Sequence, residues 1–161
     1  MTSSKEERSL IIMKPDALQR GLVGELFHRF ERKGLKIIGL KMVELEDVAL
    51  DAHYAHHKDK PFFDSLKKFM RSTPVILVAL SGINAIRAIR LIVGPTKGYE
   101  AEAGSIRGDF TLSGQANVVH TSDSLETAEQ ELERFFSANE LFSYEKPEFP
   151  WLYSNDERAE P

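Results

Sequence analysis

Val75-Ile76-Leu77-Val78-Ala79-Leu80 is an unbroken apolar run. A strand with one wet face alternates apolar and polar residues, whereas a strand covered on both faces does not. The run therefore predicts a central strand with helices on both sides. Downstream, Ile83, Ile86, Ile89 and Val93 recur at helical spacing from about Asn84, and Gly94-Pro95 ends that helix. Upstream, the stretch from about Asp47 to Arg71 reads as two helices broken at Pro61. Pro61-Phe62-Phe63 starts the second helix, with one aromatic for the core and the other free to act as a platform. Before it, Ile37 to Val43 is β-like, Ile38, Leu40 and Met42 alternating with Gly39 and Lys41. From Gly21 the spacing is helical, with Val23, Leu26, Phe27 and Phe30 on one face and Gly34 as terminator. The first strand, Leu10-Ile11-Ile12-Met13, stops at Lys14-Pro15-Asp16, where Pro15 suits the first turn of a helix.

Toward the C-terminus, Gly94 to Ala116 is a long glycine-rich connection carrying Thr96, Lys97, Arg107 and Asp109. Loops of that length without structure of their own are more often functional than ornamental. Asn117 to His120 reads as a strand, and Leu125, Ala128, Leu132 and Phe135 as the stripe of a final helix. Asp123 with Glu126 resembles a capping box at its start, and Glu131 borders the stripe. The order predicts a four-stranded, mostly antiparallel sheet of split βαβ type with helices on its faces. Residues 1–161 read as one domain. The tail 147–161, with Phe149, Trp151, Leu152 and Tyr153, is expected to pack on that domain or on a neighbouring subunit.

The chain has 161 residues, 42% of them hydrophobic and 29% charged, with a net charge of -4 and no cysteine. A mildly acidic protein has no global attraction to nucleic acid or anionic membrane, so any phosphate must be held by local Lys and Arg. The absence of cysteine excludes disulfides and thiolate metal sites. The polar N-terminus is not expected to be a signal peptide, no run approaches membrane-span length, and the expected location is the cytoplasm.

The chemistry gathers around Asn117-Val118-Val119-His120-Thr121-Ser122-Asp123-Ser124. His120 stands where a strand hands over to a helix, and a neutral imidazole is a good nucleophile near neutral pH. With Lys14, Arg90, Arg107, Thr96, Asn117, Ser122 and Glu131 it makes a nucleophile with cationic neighbours, the combination that a transferring phosphoryl group needs. Arg87 and Arg90 share one helix, where both can simply be solvated and at most one need be functional. The sequence has neither a P-loop nor a kinase glycine loop, so a moving phosphate would be carried by the histidine. The competing metal reading, with His53, His56 and His57 at i, i+3 and i+4, has no carboxylate pattern or zinc motif beside it.

The chain resembles the nucleoside diphosphate kinase family over essentially its whole length. Asn117 to Ser124 is similar to that family's N-x-x-H-G-S-D-S signature. Ile12-Met13-Lys14-Pro15-Asp16, Gln19-Arg20-Gly21-Leu22-Val23-Gly24, Lys60-Pro61-Phe62-Phe63 and Ile106-Arg107-Gly108-Asp109-Phe110 match in order. The resemblance implies a ferredoxin-like α+β fold and ping-pong transfer of a γ-phosphate from a nucleoside triphosphate, through a phosphohistidine, to a nucleoside diphosphate. It also implies Mg²⁺ bridging the phosphates without a direct protein ligand, and a homo-oligomer, hexamer or tetramer. By the same resemblance His120 is the nucleophile, supported by Glu131 and Ser122. Lys14, Arg90, Thr96 and Arg107 hold phosphates, Asn117 and Lys14 touch the sugar, Phe62 stacks on the base and Tyr54 buttresses the pocket. A base held by stacking is weakly discriminated, because every base has a π-face.

Several positions depart from the family pattern. Thr121 stands where Gly is usual, and a β-branched residue beside the nucleophile is expected to slow transfer or shift the turn. Ala17 replaces Gly, Gly114 replaces Val, and Lys97-Gly98-Tyr99 and Ala103-Gly104-Ser105 differ from the usual loop. A nucleotide-binding regulatory protein, with transfer blunted by Thr121, is the other function class beside the metal-binding one. Period-two alternation also places Asn117 and His120 on opposite faces, whereas the family reading needs both at one pocket.

Overall fold

The computed structural model describes residues 6–158. The first five residues and the last three of the tail lie outside the described residues. The strands β1 (Glu6–Met13), β2 (Lys36–Val43), β3 (Val75–Ile83) and β4 (Val119–Thr121) form an antiparallel sheet in the order β2-β3-β1-β4. The helices are α1 (Pro15–Gln19), α2 (Val23–Arg32), α3 (Asp47–His53), α4 (Phe63–Met70), α5 (Ala85–Val93), α6 (Ile106–Phe110), α7 (Leu125–Phe135), α8 (Phe149–Leu152) and α9 (Asn155–Arg158).

The two central strands carry apolar residues on both faces, as the unbroken run at 75–80 requires. Leu10, Ile12, Val75, Leu77 and Ala79 face one core, closed by Leu50 of α3, Leu66 and Met70 of α4, and Leu132 and Phe135 of α7. Ile11, Met13, Ile76, Val78 and Leu80 face the other, closed by Ala17 of α1, Leu26 and Phe30 of α2, Ile89 and Val93 of α5, and Ile106 of α6. This three-layer α+β architecture is the split βαβ arrangement expected from the element order.

Three local expectations are corrected. In β2 the register against β3 slips between Ile37 and Gly39, so Ile38 is the extra residue of a bulge. Alternation re-phases there, and Leu40 and Met42 stand exposed although Ile38 is buried. The connection from Gly94 to Ala116 is not structureless, since it contains a 3₁₀ turn at Gly98–Glu100 and α6. Close packing shapes it: a Cβ on Gly108 would sit 1.9 Å from the Glu102 carbonyl oxygen. The cap of α7 is Ser124 rather than Asp123, its Oγ accepting from the Thr127 N–H at 3.1 Å.

The chain between α7 and the tail crosses the β2 edge, and the tail returns toward β3. Phe142 N–H donates to the Ile38 carbonyl (2.7 Å), and the Tyr144 hydroxyl donates to that of Ile37 (2.6 Å). Tyr153 Oη accepts from Ile83 N–H (3.1 Å). Leu152 packs over Gly34, which ends α2 with φ +95°, and a Cβ there would lie 2.6 Å from the leucine. Trp151 remains exposed.

Candidate active site

His120 opposes Ile12 in the β1–β4 ladder. Directly opposed residues of an antiparallel pair share a face, so His120 points to the side covered by α3 and α7. One residue on, Thr121 opposes Ile11 and is buried toward the other face. Its side chain cannot crowd the imidazole, and it occupies a ladder position where β-branching is favourable rather than a turn. Thr121→Gly is therefore expected to cost about 1 kcal/mol of stability without raising the reaction rate. Urea unfolding and initial rates check this, and a faster variant would show that Thr121 restrains the chemistry. Ala17 lies buried within α1, so its methyl group is accommodated.

The strand was expected to begin at Asn117, but it begins at Val119. Val118 has φ +61°, and Val119 N–H donates to the Asn117 carbonyl at 2.8 Å, which closes a γ-turn. A positive φ is unusual for a β-branched residue and costs about 1–3 kcal/mol. The turn reverses the alternation and removes the conflict between Asn117 and His120. It is held from several sides: Asp16 Oδ2 accepts from Val118 N–H (3.0 Å), and Lys14 N–H donates to the Val118 carbonyl (2.9 Å). Arg107 donates to the carbonyls of Asn117 (3.3 Å), Val119 (2.5 Å) and Gly94 (3.0 Å). These bonds offset the strain and fix the backbone just before the histidine.

The imidazole is fixed from behind. His120 Nε2 lies 2.9 Å from Glu131 Oε1, and Ser122 Oγ donates to Glu131 Oε2 at 2.6 Å while accepting from Leu10 N–H at 3.1 Å. An ionised carboxylate only accepts, so Nε2 carries the proton and Nδ1 keeps a free lone pair. Glu131, at the border of the helical stripe, does turn toward the strand and is buried. His53 packs edge-on against His120, ring centroids 4.5 Å apart, and Tyr54 packs edge-on against His53 at 4.6 Å. Burial, then the neighbouring His120 and Arg134, push the His53 pKa down to about 2, so His53 is neutral. Burial also raises the Tyr54 phenol.

Lys14, Asn117, Thr96 and Arg107 form one network. Lys14 Nζ donates to Asn117 Oδ1 (2.7 Å), and Asn117 Nδ2 donates to the carbonyls of Thr96 (2.8 Å) and Gly114 (2.9 Å). Burial, then the Arg107 charge, lower the Lys14 ammonium to about 7. Burial, then Arg90, lower Arg107 to about 10. Arg90 is exposed on α5, as is Arg87. Three of the five Arg107 N–H donors are used on carbonyls, which leaves two for a ligand. Phe63 is 9% exposed and Phe62 42%, so the first belongs to the core and the second offers a ring face. Gln115 links the two halves, its amide reaching Ser65 on the helix that follows Phe62 at 3.5 Å.

The structure thus brings His120, Glu131 and Ser122, and through His53 also Tyr54, into one set of contacts, and Lys14, Asn117, Thr96 and Arg107 into another; Arg90 is close enough to lower the Arg107 pKa, and Phe62 is reached from Tyr54 through His57. It dissolves the three-histidine metal cluster: His56 and His57 pair with each other in a 3₁₀ turn, ring centroids 3.9 Å apart, and His53 faces His120 instead. Two contributors were missed, Asp16 and His53. Asp16 was visible inside the Lys14-Pro15-Asp16 match, but its bond to Val118 spans 102 residues of chain. A cavity of about 470 Å³ lies elsewhere, between the tail and the sheet. Its Lys36–Glu6 pair (3.1 Å) is satisfied by Ser81 and Tyr144 and presents no reacting group.

Comparison with known proteins agrees with this geometry. A family model described as nucleoside diphosphate kinase matches residues 7–141. Nucleoside diphosphate kinase of Parabacteroides distasonis is 51% identical over 151 residues, 94% of this chain and 99% of that one. The enzyme of Archaeoglobus fulgidus is 47% identical over 147 residues, 91% of this chain and 97% of that one. Among solved structures, the halophilic nucleoside diphosphate kinase of Halobacterium salinarum in complex with CDP superposes with a TM-score of 0.90 at 38% identity, covering 92% of this chain and 99% of that one. A family protein from Babesia bovis gives 0.88 at 42% identity, covering 91% and 99%. With its sheet order, its histidine site and these relatives in agreement, the chain belongs to the nucleoside diphosphate kinase family.

Proposed function

We propose that this chain transfers the γ-phosphate of a nucleoside triphosphate, typically ATP, to a nucleoside diphosphate by a ping-pong route through His120. The observation that carries the reading is His120 Nε2 lying 2.9 Å from the buried Glu131 carboxylate, an acceptor that holds the proton on Nε2 and leaves the Nδ1 lone pair for attack. Nδ1 attacks the γ-phosphorus, the bond to the bridging oxygen breaks, and the diphosphate leaves with the electron pair. The ring then holds the phosphoryl group and a positive charge, which Glu131 compensates through Nε2–H. An incoming diphosphate oxygen reverses the step. Lys14, Arg90, Thr96 and Arg107 bind the phosphates, Asn117 and Lys14 the sugar, and Phe62 the base by stacking, so many bases are accepted. Tyr54 supports the pocket through His53.

Mg²⁺ fits as a cation that arrives on the nucleotide and neutralises charge on the transferring phosphate. Among the described residues, the converging metal-capable group is two histidines and one carboxylate, unlike the oxygen shell Mg²⁺ prefers. The residues here would hold the phosphates rather than the ion. The chain acts as one domain, in the cytoplasm, in a hexamer or tetramer, and requires no nucleic acid; no described helix is long and apolar enough to cross a membrane.

Initial rates with ATP and GDP both varied should give parallel double-reciprocal lines, and intersecting lines would point to direct transfer instead. A second expectation concerns Lys14, whose ammonium is lowered to about 7 in the free protein. A bound phosphate raises it again, so at about pH 8 nucleotide binding takes up nearly one proton, and affinity falls by up to about tenfold per pH unit above 7. Calorimetry in buffers of different ionisation enthalpy measures the uptake, which Lys14→Met should abolish.

A further inference from the structure

Behind the nucleophile, three metal-capable atoms converge. One donor atom from each of His53, His120 and Glu131 lies within 4.8 Å of the other two. The His120–Glu131 separation is 2.9 Å and the His53–Glu131 separation 3.7 Å. A tetrahedral cation with bonds of about 2.0–2.2 Å spans donor separations of about 3.3–3.5 Å, so the two separations to Glu131 need shifts of a few tenths of an ångström, and the two imidazole donors, within 4.8 Å, close by at most about 1.5 Å to complete three corners.

The donors are also in suitable chemical states. His53 is neutral, and its Nδ1 carries a lone pair because the Arg134 guanidinium donates to it at 3.3 Å. Its Nε2 is buried with no hydrogen-bond partner among the described residues. Arg134 is exposed and free to swing into water when its acceptor is taken. Two imidazoles and a carboxylate select borderline ions such as Zn²⁺ over Mg²⁺.

We propose that His53, His120 and Glu131 form an inhibitory site for a transition-metal cation of the Zn²⁺ class, which captures the nucleophile while the protein is free of nucleotide. A neutral imidazole that binds metal through Nε2 must carry its proton on Nδ1. Coordination therefore removes the proton from Nε2 and places one on Nδ1, the ring staying neutral with no net proton released. The blocked atom is the one that attacks phosphorus. That inhibitory consequence rests on the reading of His120 as nucleophile, whereas the binding itself rests on the donor geometry.

Calorimetric titration of nucleotide-free protein with Zn²⁺ tests the site. One ion per chain is expected, with His53→Gln weakening the affinity about tenfold or more. Arg134→Leu should tighten it by removing the competing cation, and changing His56 and His57 together to alanine should leave it alone. Unchanged affinity in a folded His53→Gln protein, or loss of binding in the His56/His57 variant, overturns the site. If His53→Gln does not fold, Arg134→Leu decides, because affinity that fails to rise contradicts the proposal. Zn²⁺ should also stop phosphoryl transfer to the protein, reversibly with chelator, and binding without inhibition overturns the capture of His120. A protein that binds Zn²⁺ through His53 but never accepts a phosphoryl group would refute the transferase reading and leave the metal site standing.

Discussion

Glu131→Gln is expected to slow phosphoryl transfer to the protein by about 10²–10⁴-fold, with nucleotide affinity changed only a few-fold. In the proposed relay the carboxylate has two functions. As an acceptor it keeps the proton on Nε2 and the lone pair on Nδ1; as an anion it compensates the charge the ring gains on phosphorylation. Glutamine removes the anion in every orientation. With its NH₂ turned toward Nε2, it also favours the tautomer that blocks Nδ1. Ser122 does not rescue the arrangement, since its oxygen already accepts from Leu10 N–H and its hydrogen is directed at Glu131. Rapid-quench measurement of label transfer, beside equilibrium binding of ADP, separates the two effects. A loss confined to binding would mean that Glu131 shapes the pocket rather than the nucleophile.

Arg107→Leu should lower stability by about 3–5 kcal/mol and the melting temperature by about 6–15 °C, and should remove most activity as well. The guanidinium is buried and ties three carbonyls, two of them flanking the strained Val118. Leucine leaves those oxygens without charged donors and releases the turn that aims His120. Arg107→Lys keeps the charge but cannot span three acceptors, so most of the stability loss should persist. A variant that keeps native stability and loses only phosphate affinity would show that the arginine serves the ligand alone.

Much of the fold was legible because the two central strands advertise burial on both faces, and the helices carry clean stripes, those of α2 and α5 ending at Gly34 and Gly94. The bulge in β2 was not legible. Ile37 and Ile38 are adjacent and apolar, so either register buries an isoleucine, and only pairing with β3 decides. Val118 misled for a related reason: valine is a strand former, and its positive φ is imposed by Asp16 and Arg107 from distant segments. His120, Lys14, Phe62, Arg107, Asn117 and Ser122 lay inside the quoted motifs, whereas Glu131 lay outside them and was placed only by its position beside the α7 stripe and by the family resemblance. His53 was not legible, because helical spacing grouped it with His56 and His57, whereas the fold of α3 against α7 turns it toward His120.

The most direct test is the position of the phosphoryl group. The protein is incubated with γ-labelled ATP and Mg²⁺, freed of nucleotide and digested in alkali, and its phosphohistidine isomers are separated. Label on Nδ1 of His120, chased by GDP and absent from His120→Asn, is the predicted result. Label on Nε2 or on another residue, or none on protein that binds nucleotide normally, would contradict it.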